Sequence, residues 1–379
     1  MITSAVSNGF YEVAHVPYQS KIEAILVADQ IGSNPSFNFH DDVYGKFNWN
    51  AEPTETLDQL YLARVIELRN KYDYLVLHYS GGADSNNILE TCVRNNIEID
   101  EVFMRGPLGH ADKNIKNTSP GNMYAEIFFN AIPIVTHVKN THMPNLKIRV
   151  VDNTEYVLKF ASSEKQVEDM FDPLSMGIGS ISPNLLAGKD LDSLVPDYRK
   201  IAESGKKIGH VMGVDKPRLF IENGEFVVDF LDKSIQHMIT HRAAKIDLPV
   251  YKELFYWGES TAPIIIKQSH TIKNYIKTRK LEEKHASASR NRAFHDFVSG
   301  LIYQPRMFPI SFNSEKVFGI SSLMPWDNYF LSDVNSAHYA NWKKHATLLD
   351  QSIPERFKHS NSHFLNLQGI LSKKYSIGF

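Results

Sequence analysis

Residues 74–89 read YLVLHYSGGADSNNIL, an apolar run followed by a glycine turn and a second patterned segment. The apolar run, 74–79, has the β-branched, aromatic and aliphatic composition of a buried strand. After the Ser-Gly-Gly turn, apolar residues recur at helical spacing, at Ile88, Leu89, Cys92 and Val93. The sequence therefore predicts a strand, a tight loop and a helix in succession, which is the arrangement of a phosphate-binding turn.

The loop carries the groups that an anion requires. Gly81 and Gly82 lack a Cβ, so their backbone can adopt positive φ and bring N–H groups close to a phosphate. Ser80 and Ser85 add hydroxyl donors. Because the carboxylate of Asp84 repels a phosphate, we expect it to cap the helix or to hold a Mg²⁺ that bridges phosphate oxygens. A Gly-Gly turn that binds nothing is the alternative, but the whole string Ser-Gly-Gly-x-Asp-Ser is more specific.

Residues 80–85 resemble the signature of the PP-loop ATP pyrophosphatase superfamily, also described as adenine nucleotide alpha-hydrolase-like. The family includes asparagine and GMP synthetases and tRNA-modifying ligases. The resemblance implies ATP and Mg²⁺ as cofactors, with the metal on Asp84 and the pyrophosphate portion on Ser80, Gly81, Gly82, Asp84 and Ser85. It covers roughly thirty residues, so it indicates the chemistry better than the substrate. Because Ile2 rather than Cys follows Met1, we expect an asparagine synthetase-like or related branch without a glutaminase domain.

Composition limits the class of protein. The chain has 379 residues, 42% of them hydrophobic, and a formal net charge of −2, which gives no sign of nucleic-acid binding by the protein as a whole. Its single cysteine, Cys92, excludes an intrachain disulfide and a Cys-x-x-Cys zinc site. No apolar run reaches the length of a membrane span, and no charged signal sequence opens the chain. We therefore expect a soluble cytoplasmic protein with no membrane partner.

Two further segments are predicted to border the nucleotide. A second strand, 101–105, ends at Met104 and Arg105, and in a doubly wound sheet ligands lie at the carboxyl ends of strands. Family resemblance implies that this strand end contacts adenine through its backbone; a solvated charge is the alternative for Arg105.

A charged turn after Gly213 presents three further candidates for nucleotide binding or catalysis: Asp215, Lys216 and Arg218. Its two cations suit the charge that develops on pyrophosphate, while a plain surface turn remains the alternative.

The chain divides into three predicted parts. Residues 1–50 form an N-terminal extension without a clear period. Residues 51–235 form the PP-loop α/β domain, a doubly wound, mostly parallel, Rossmann-like sheet that ends in a hairpin over 219–230 with Asn-Gly at its turn. Residues 236–379 are predicted to be a mainly helical domain that binds a substrate or partner.

The C-terminal part offers three interpretations of its polar residues. One is a pocket for the second substrate, built from Tyr256, Trp257, Lys267, Gln268, His270 and Lys273. Another is a nucleic-acid surface along the basic run Lys267, Lys273, Lys277, Arg279, Lys280, Lys284, Arg290 and Arg292. A plain solvated helix is the third. The pairs His237/His241 and His359/His363 share helix spacing but lack the further ligands of a zinc site.

These observations favour an adenylating ligase that forms an amide or amidine. The cysteines that thiolating, deazaguanine-forming and sulfate-reducing relatives require are missing, which leaves activation of a carboxylate or carbonyl oxygen and attack by a nitrogen nucleophile. We expect Asp84, Lys216 and Arg218 to be catalytic and the substrate to be a small molecule. Two alternatives remain: a PP-loop enzyme that modifies nucleic-acid bases, and a nucleotide-binding protein without catalysis.

Overall fold

The computed structural model describes residues 9–18, 21–106, 108, 126–155, 195–213, 218–232, 249–279, 300–308, 336–358 and 367–379. Its strands are β1 (Tyr11–Val13), β2 (Val16–Tyr18), β3 (Ser36–Phe37), β4 (Tyr74–His78), β5 (Glu101–Gly106), β6 (Lys147–Asp152), β7 (Ile208–Met212), β8 (Arg218–Glu222), β9 (Glu225–Asp229), β10 (Val250–Leu254) and β11 (Tyr375–Ser376). Its helices are α1 (Lys21–Gln30), α2 (Asp41–Tyr44), α3 (Leu57–Lys71), α4 (Ala83–Arg94), α5 (Ile132–Thr141), α6 (Asp197–Glu203), α7 (Ala262–Thr278) and α8 (Ser336–Ser352). A π-helical turn at Ile127–Ala131 precedes α5, and a 3-10 turn follows α8 at Glu355–Phe357.

Five parallel strands form the central sheet, in the order β10-β7-β4-β5-β6. Helices α3, α4 and α5 share one hydrophobic core with one face of this sheet, and α6 packs on the other. Side chains alternate between the two cores: Leu75 and Leu77 lie in the first, and Val76 in the second. The expected α/β fold with a parallel sheet is therefore confirmed.

The segment from β4 to α4 folds as its pattern predicts. Because both faces of the sheet are covered, all three residues between Tyr74 and His78 are buried and the strand reads as a continuous apolar run. Helix α4 buries its predicted apolar stripe, including Cys92. Burial raises the pKa of the Cys92 thiol to about 12, so it acts as a small hydrophobic residue.

The helix before β4, α3, has a well-defined start. Its N-cap is Thr56, whose side-chain oxygen accepts a hydrogen bond from the backbone N–H of Gln59 at 3.2 Å. The Gln59 side chain accepts in return from the Thr56 N–H at 2.8 Å. This capping box satisfies two N–H groups at the start of α3, which packs beside α4.

A second core joins the two ends of the chain. It contains α1, the small sheet β2-β1-β3, the sheet β11-β9-β8 and the apolar face of α7. The predicted hairpin is confirmed: Asn223 and Gly224, between β8 and β9, have φ of 51° and 85°, as a type I′ turn requires. The N-terminal segment is therefore part of a core that the hairpin, α7 and the C-terminal residues complete.

The central sheet extends beyond residue 235, where the sequence predicts the α/β part to end. Strand β10 pairs with β7 in parallel and completes the sheet from the region expected to be mainly helical. Its charged residues interrupt the apolar pattern by which a buried strand is recognised in a sequence. Glu253 is bound by Arg64 at 3.0 Å and Lys71 at 2.6 Å, both from α3, so the sheet edge is stabilised by ion pairs with a neighbouring helix.

One helix property bears on the expected lack of a membrane partner. Within the described ranges, none of the helices combines the length and the apolar character that crossing a bilayer requires.

A buried ion pair supports the second core. Lys21 Nζ lies 2.5 Å from Asp232 Oδ2, and the two side chains are 1% and 0% exposed. Burial lowers the pKa of Lys21, whereas the Asp232 carboxylate opposes that shift. Tyr11 also donates its hydroxyl to Asp232, at 2.9 Å. Asp232, which follows β9, therefore connects that part of the chain to β1 and α1.

We predict that Asp232→Asn lowers the free energy of unfolding by about 3 kcal/mol, because it leaves a buried ammonium without its counter-charge. The control is Glu222→Gln, which breaks the exposed Lys374–Glu222 pair and should change stability by less than about 0.5 kcal/mol. Denaturant titration measures both, and equal effects in the two variants would contradict the assignment.

Candidate functional site

The Ser-Gly-Gly loop lies where the order of the central sheet reverses. From β4, the chain first adds β5 and β6 on one side, and later β7 and β10 on the other. The carboxyl ends of β4 and β7 are therefore adjacent, with His78 opposite Met212. Open α/β sheets bind ligands in the crevice at such a point. The loop thus occupies the position that this topology favours for a small-molecule site.

Of the two loop glycines that could adopt positive φ, Gly81 does so and Gly82 does not. Gly81 has φ of +82°, a value that residues with a Cβ rarely adopt. Gly82 is the N-cap of α4, with extended φ and ψ of −73° and 165°, and no side chain caps the helix. The first N–H groups of α4 and the positive end of its dipole therefore adjoin the loop.

The two serines form hydrogen bonds within the loop. The Ser80 N–H donates to Ser85 Oγ at 3.3 Å, and the Gly82 N–H donates to Ser80 Oγ at 3.2 Å. Both distances exceed the usual 2.9–3.0 Å of such bonds. A phosphate oxygen forms shorter, charge-assisted bonds, so these N–H and hydroxyl groups can exchange weak internal bonds for stronger ones. Ser80 is exposed, and Ser85 is buried.

Two neighbouring elements approach the loop closely. A Cβ built on Gly81 would lie 3.3 Å from Ala131 and 3.3 Å from Cγ of Glu126, so the π-helical turn forms one wall. On the other side, a Cβ on Gly213 would lie 2.9 Å from the Ser85 nitrogen. The absence of side chains at these two glycines lets the π-helical turn and the end of β7 pack directly against the loop. π-Helical turns are frequent at functional sites.

Asp84 faces tyrosines rather than open solvent. Its Oδ1 accepts a hydrogen bond from the Tyr303 hydroxyl at 2.6 Å, and its backbone oxygen accepts one from Tyr256 at 3.0 Å. With Tyr61, these residues form an aromatic cluster whose ring centroids lie 5.5–6.2 Å apart. Tyr256 is one of the residues that the sequence suggests as a pocket wall, whereas no local pattern distinguishes Tyr303.

Met104 and Arg105 lie on opposite faces of β5. The Met104 side chain is buried in the core beside α4, so only its backbone can border a ligand at the strand end. Arg105 is half-buried and lies on the same face of the sheet as His78. Burial lowers the pKa of His78, and the charge of Arg105 lowers it further. The expected backbone contact with adenine remains a prediction.

The charged turn after β7 is only partly described. Asp215 and Lys216 lie outside the described residues, as do the pairs His237/His241 and His359/His363. Arg218 begins β8, where its Nε lies 3.3 Å from Oδ1 of the buried Asp229 on the paired strand. The structure thus assigns Arg218 a partner within the hairpin, and its catalytic role remains a prediction.

The polar residues of α7 hold distant parts of the chain together. Lys267 binds Glu52 at 2.7 Å, His270 Nε2 lies 2.9 Å from the Trp49 oxygen, and Lys273 donates to the Ile377 oxygen at 2.6 Å. Gln268 donates to the Tyr61 hydroxyl at 2.9 Å. These four side chains therefore contact other parts of the chain, whereas the sequence suggests a shared pocket, a phosphate-binding surface or a solvated helix. The basic run beyond Arg279 lies outside the described residues.

Two histidines meet on the sheet face opposite α4. His78 Nε2 lies 3.0 Å from His210 Nδ1, between neighbouring strands β4 and β7. Burial lowers the pKa of His210 to about 3 and lowers that of His78 well below its ordinary range, with further contributions from His210, Arg105 and Lys252. Both imidazoles are therefore neutral near pH 7, and one donates to the other.

The residues at the loop fit a metal that is bound with a nucleotide. In the part of the chain that the structure describes, no three His, Cys, Asp or Glu side chains are grouped to hold an ion. Mg²⁺ often takes only one or two carboxylates and completes its shell with substrate phosphates and water. The single carboxylate of Asp84, in the first turn of α4 and near the hydroxyls of Ser80 and Ser85, suits that kind of site.

Comparisons of the chain with protein-family models and with curated protein sequences find no match. The interpretation of this site therefore depends on residues 80–85 and on the geometry around them.

We predict that Gly213→Ala destabilises the protein by about 1–3 kcal/mol. The added methyl group would lie 2.9 Å from the Ser85 nitrogen and 3.1 Å from Asp84 Cβ, so the start of α4 must shift. The control is Gly300→Ala, because nothing lies within 4 Å of a Cβ there. Denaturant unfolding compares the two, and a Gly213→Ala protein as stable as the control would contradict the close packing.

We also predict that the histidine pair makes the protein acid-sensitive. As the pH falls below about 6.5, the unfolded chain binds protons that the buried His78 and His210 do not, so stability falls. Each group contributes up to about 1.4 kcal/mol per pH unit in this range. Stability measured from pH 7 to pH 5 should fall less steeply in His210→Asn than in the wild type. His15→Asn, at a side chain 98% exposed, should keep the wild-type slope, and a slope unchanged in His210→Asn would refute the prediction.

Proposed function

We propose that this protein is an ATP pyrophosphatase-type ligase. It transfers AMP from ATP to a carboxylate or carbonyl oxygen of a small acceptor and releases pyrophosphate. A nitrogen nucleophile then displaces AMP and forms an amide or amidine. We also propose that the sheet is Rossmann-like. When its five parallel strands are renumbered 1 to 5 along the chain, their order in the sheet is 3-2-1-4-5.

One observation carries the proposal: a Ser-Gly-Gly-x-Asp-Ser loop joins β4 to α4 at the point where the strand order reverses. Positive φ at Gly81 directs the chain from the strand into the helix. The close approach of Gly213 brings the end of β7 to the same place. A glycine turn elsewhere in the sheet would carry no such implication, because ligands concentrate at this crevice.

Each group in the loop has a role in the proposed reaction. The N–H groups of the loop and of the first turn of α4 bind the pyrophosphate portion, with the hydroxyls of Ser80 and Ser85 as further donors. Asp84 would hold a Mg²⁺, which would neutralise phosphate charge. Because Arg218 already pairs with Asp229, we assign the cation that stabilises the departing pyrophosphate to Lys216.

The contacts of α7 support a small-molecule acceptor over nucleic acid. Lys267 and Lys273 bind a carboxylate and a backbone oxygen of this chain, and Lys273 is only 8% exposed. Lys277 donates to the Phe379 oxygen at 2.9 Å. Cations that hold the chain together in this way contribute little to a phosphate-binding surface.

The test is to incubate the protein with ATP labelled at the α-phosphate, Mg²⁺ and fractionated metabolite pools. Labelled AMP and free pyrophosphate that appear only with one fraction would support the proposal and lead to the acceptor. Labelled ADP, or release of AMP that no fraction stimulates, would reject the ligase.

We predict that Asp84→Asn lowers Mg²⁺-dependent AMP formation by at least about 100-fold, because a neutral amide is a much poorer Mg²⁺ ligand than a carboxylate. Stability should change by less than about 1 kcal/mol, since Asn can still accept the bond from Tyr303. The matched control, Asp58→Asn, removes an exposed carboxylate from the first turn of α3 and should retain full activity. Equal rates in the two variants would remove Asp84 from the mechanism.

A further inference from the structure

The Tyr303 hydroxyl forms a short hydrogen bond with the carboxylate that the proposed reaction requires. Its oxygen lies 2.6 Å from Asp84 Oδ1, within the range of strong O–H···O⁻ bonds. The two residues are 219 positions apart in the chain. The bond therefore depends on how the segment 300–308 is held against α4.

The segment 300–308 is fixed to the helix that begins at the loop. Glu90 of α4, only 3% exposed, accepts the backbone N–H groups of Met307 at 2.9 Å and Phe308 at 3.3 Å. Arg94 donates to the Pro305 oxygen. α4 therefore carries both Asp84 and the groups that hold the segment, so the distance between Tyr303 and Asp84 is set within one rigid unit.

A second helix fixes the other end of the segment. The Tyr61 hydroxyl of α3 donates to the Ile302 oxygen at 2.7 Å, one residue before Tyr303. The ring of Tyr303 packs between Tyr61 and Tyr256, with centroid distances of 6.2 and 5.5 Å. The ring therefore has little freedom to rotate away from Asp84.

The chemistry of the pair fixes the direction of the bond. A carboxylate oxygen accepts hydrogen bonds, so the Tyr303 hydroxyl is the donor to Asp84 Oδ1. A carboxylate that is held through one oxygen presents its other oxygen in a defined direction, and hydrogen bonds of this kind orient metal-binding carboxylates in proteins.

We propose that Tyr303 is a positioning residue that orients the Asp84 carboxylate toward the Mg²⁺ of the metal–nucleotide complex. This inference rests on the proposed function, since it requires Asp84 to hold the metal. In this role the hydroxyl acts on the metal site through Asp84. The sequence distance between the two residues explains why no local motif contains Tyr303.

The test uses Mn²⁺ in place of Mg²⁺ and measures binding as well as turnover. With α,β-methylene-ATP, which cannot be cleaved between its α- and β-phosphates, electron paramagnetic resonance measures the Kd of Mn²⁺ for the protein–nucleotide complex. Tyr303→Phe removes only the hydroxyl, and we expect it to raise this Kd about 10- to 100-fold. In turnover, the Mg²⁺ concentration for half-maximal rate should rise by a similar factor, with a smaller change in the rate at saturating Mg²⁺.

The matched control is Tyr61→Phe, which loosens the same segment at Ile302 without removing a bond to Asp84. Because it also removes the acceptor of the buried Gln268 amide, it should lower Tm at least as much as Tyr303→Phe, and it should leave the Mn²⁺ Kd unchanged. A Kd raised equally in both variants would mean that segment attachment, and not the bond to Asp84, matters.

The remaining outcomes separate the inference from the proposed function. Wild-type protein that binds Mn²⁺–nucleotide with the same Kd as Tyr303→Phe would overturn the inference alone. Tighter Mn²⁺ binding by Tyr303→Phe would overturn it too, because the hydroxyl would then compete with the metal. Wild-type protein that binds no Mn²⁺–nucleotide would overturn the proposed function and the inference together.

Discussion

The junction between the central sheet and α4 depends on close backbone contact at two glycines. Gly81 turns the chain with φ of +82°, and Gly213 lets the end of β7 approach within van der Waals distance of the first residues of α4. A side chain at Gly213 would push the start of α4 away from β7, and a side chain at Gly81 would press on the π-helical turn at Ala131. Because Asp84 and Ser85 belong to that first turn, the same steric constraint determines both the local fold and where the polar groups of the site lie.

Around this junction, buried polar groups connect parts of the chain that hydrophobic packing alone would not align. Glu90 receives backbone N–H groups from the segment 300–308, and Arg64 joins α3 to Glu253 of β10. Hydrophobic burial supplies most of the stability, but it is not directional. Hydrogen bonds to buried charges are directional and are costly to leave unmade, so they select one arrangement among several compact ones.

Local features of the sequence were predictable, and distant contacts were not. The strand β4, the helix α4 and the Asn223-Gly224 turn follow from period and turn chemistry within a few residues. Strand β10 was missed because the charges of Lys252 and Glu253 hide its strand pattern; Glu253 is paired with α3. Tyr303 was missed because its role requires a partner 219 residues away. The sequence left a pocket, a nucleic-acid surface and a solvated helix open for the polar residues of α7, because the backbone oxygens that His270 and Lys273 bind, at Trp49 and Ile377, have no signature in the sequence.

Residues 367–379 complete the second core, and this affects how the chain folds while it is synthesised. Lys21 donates to the Gln368 oxygen across 347 positions, and β11, at Tyr375–Ser376, pairs with β9. During translation, the apolar surfaces of α1 and the hairpin stay exposed until these residues have been synthesised. Contacts of such long range slow folding, and nascent chains of this kind are natural clients of chaperones. A chain that lacks Tyr375 and Ser376 would leave β9 without this partner strand in the second core.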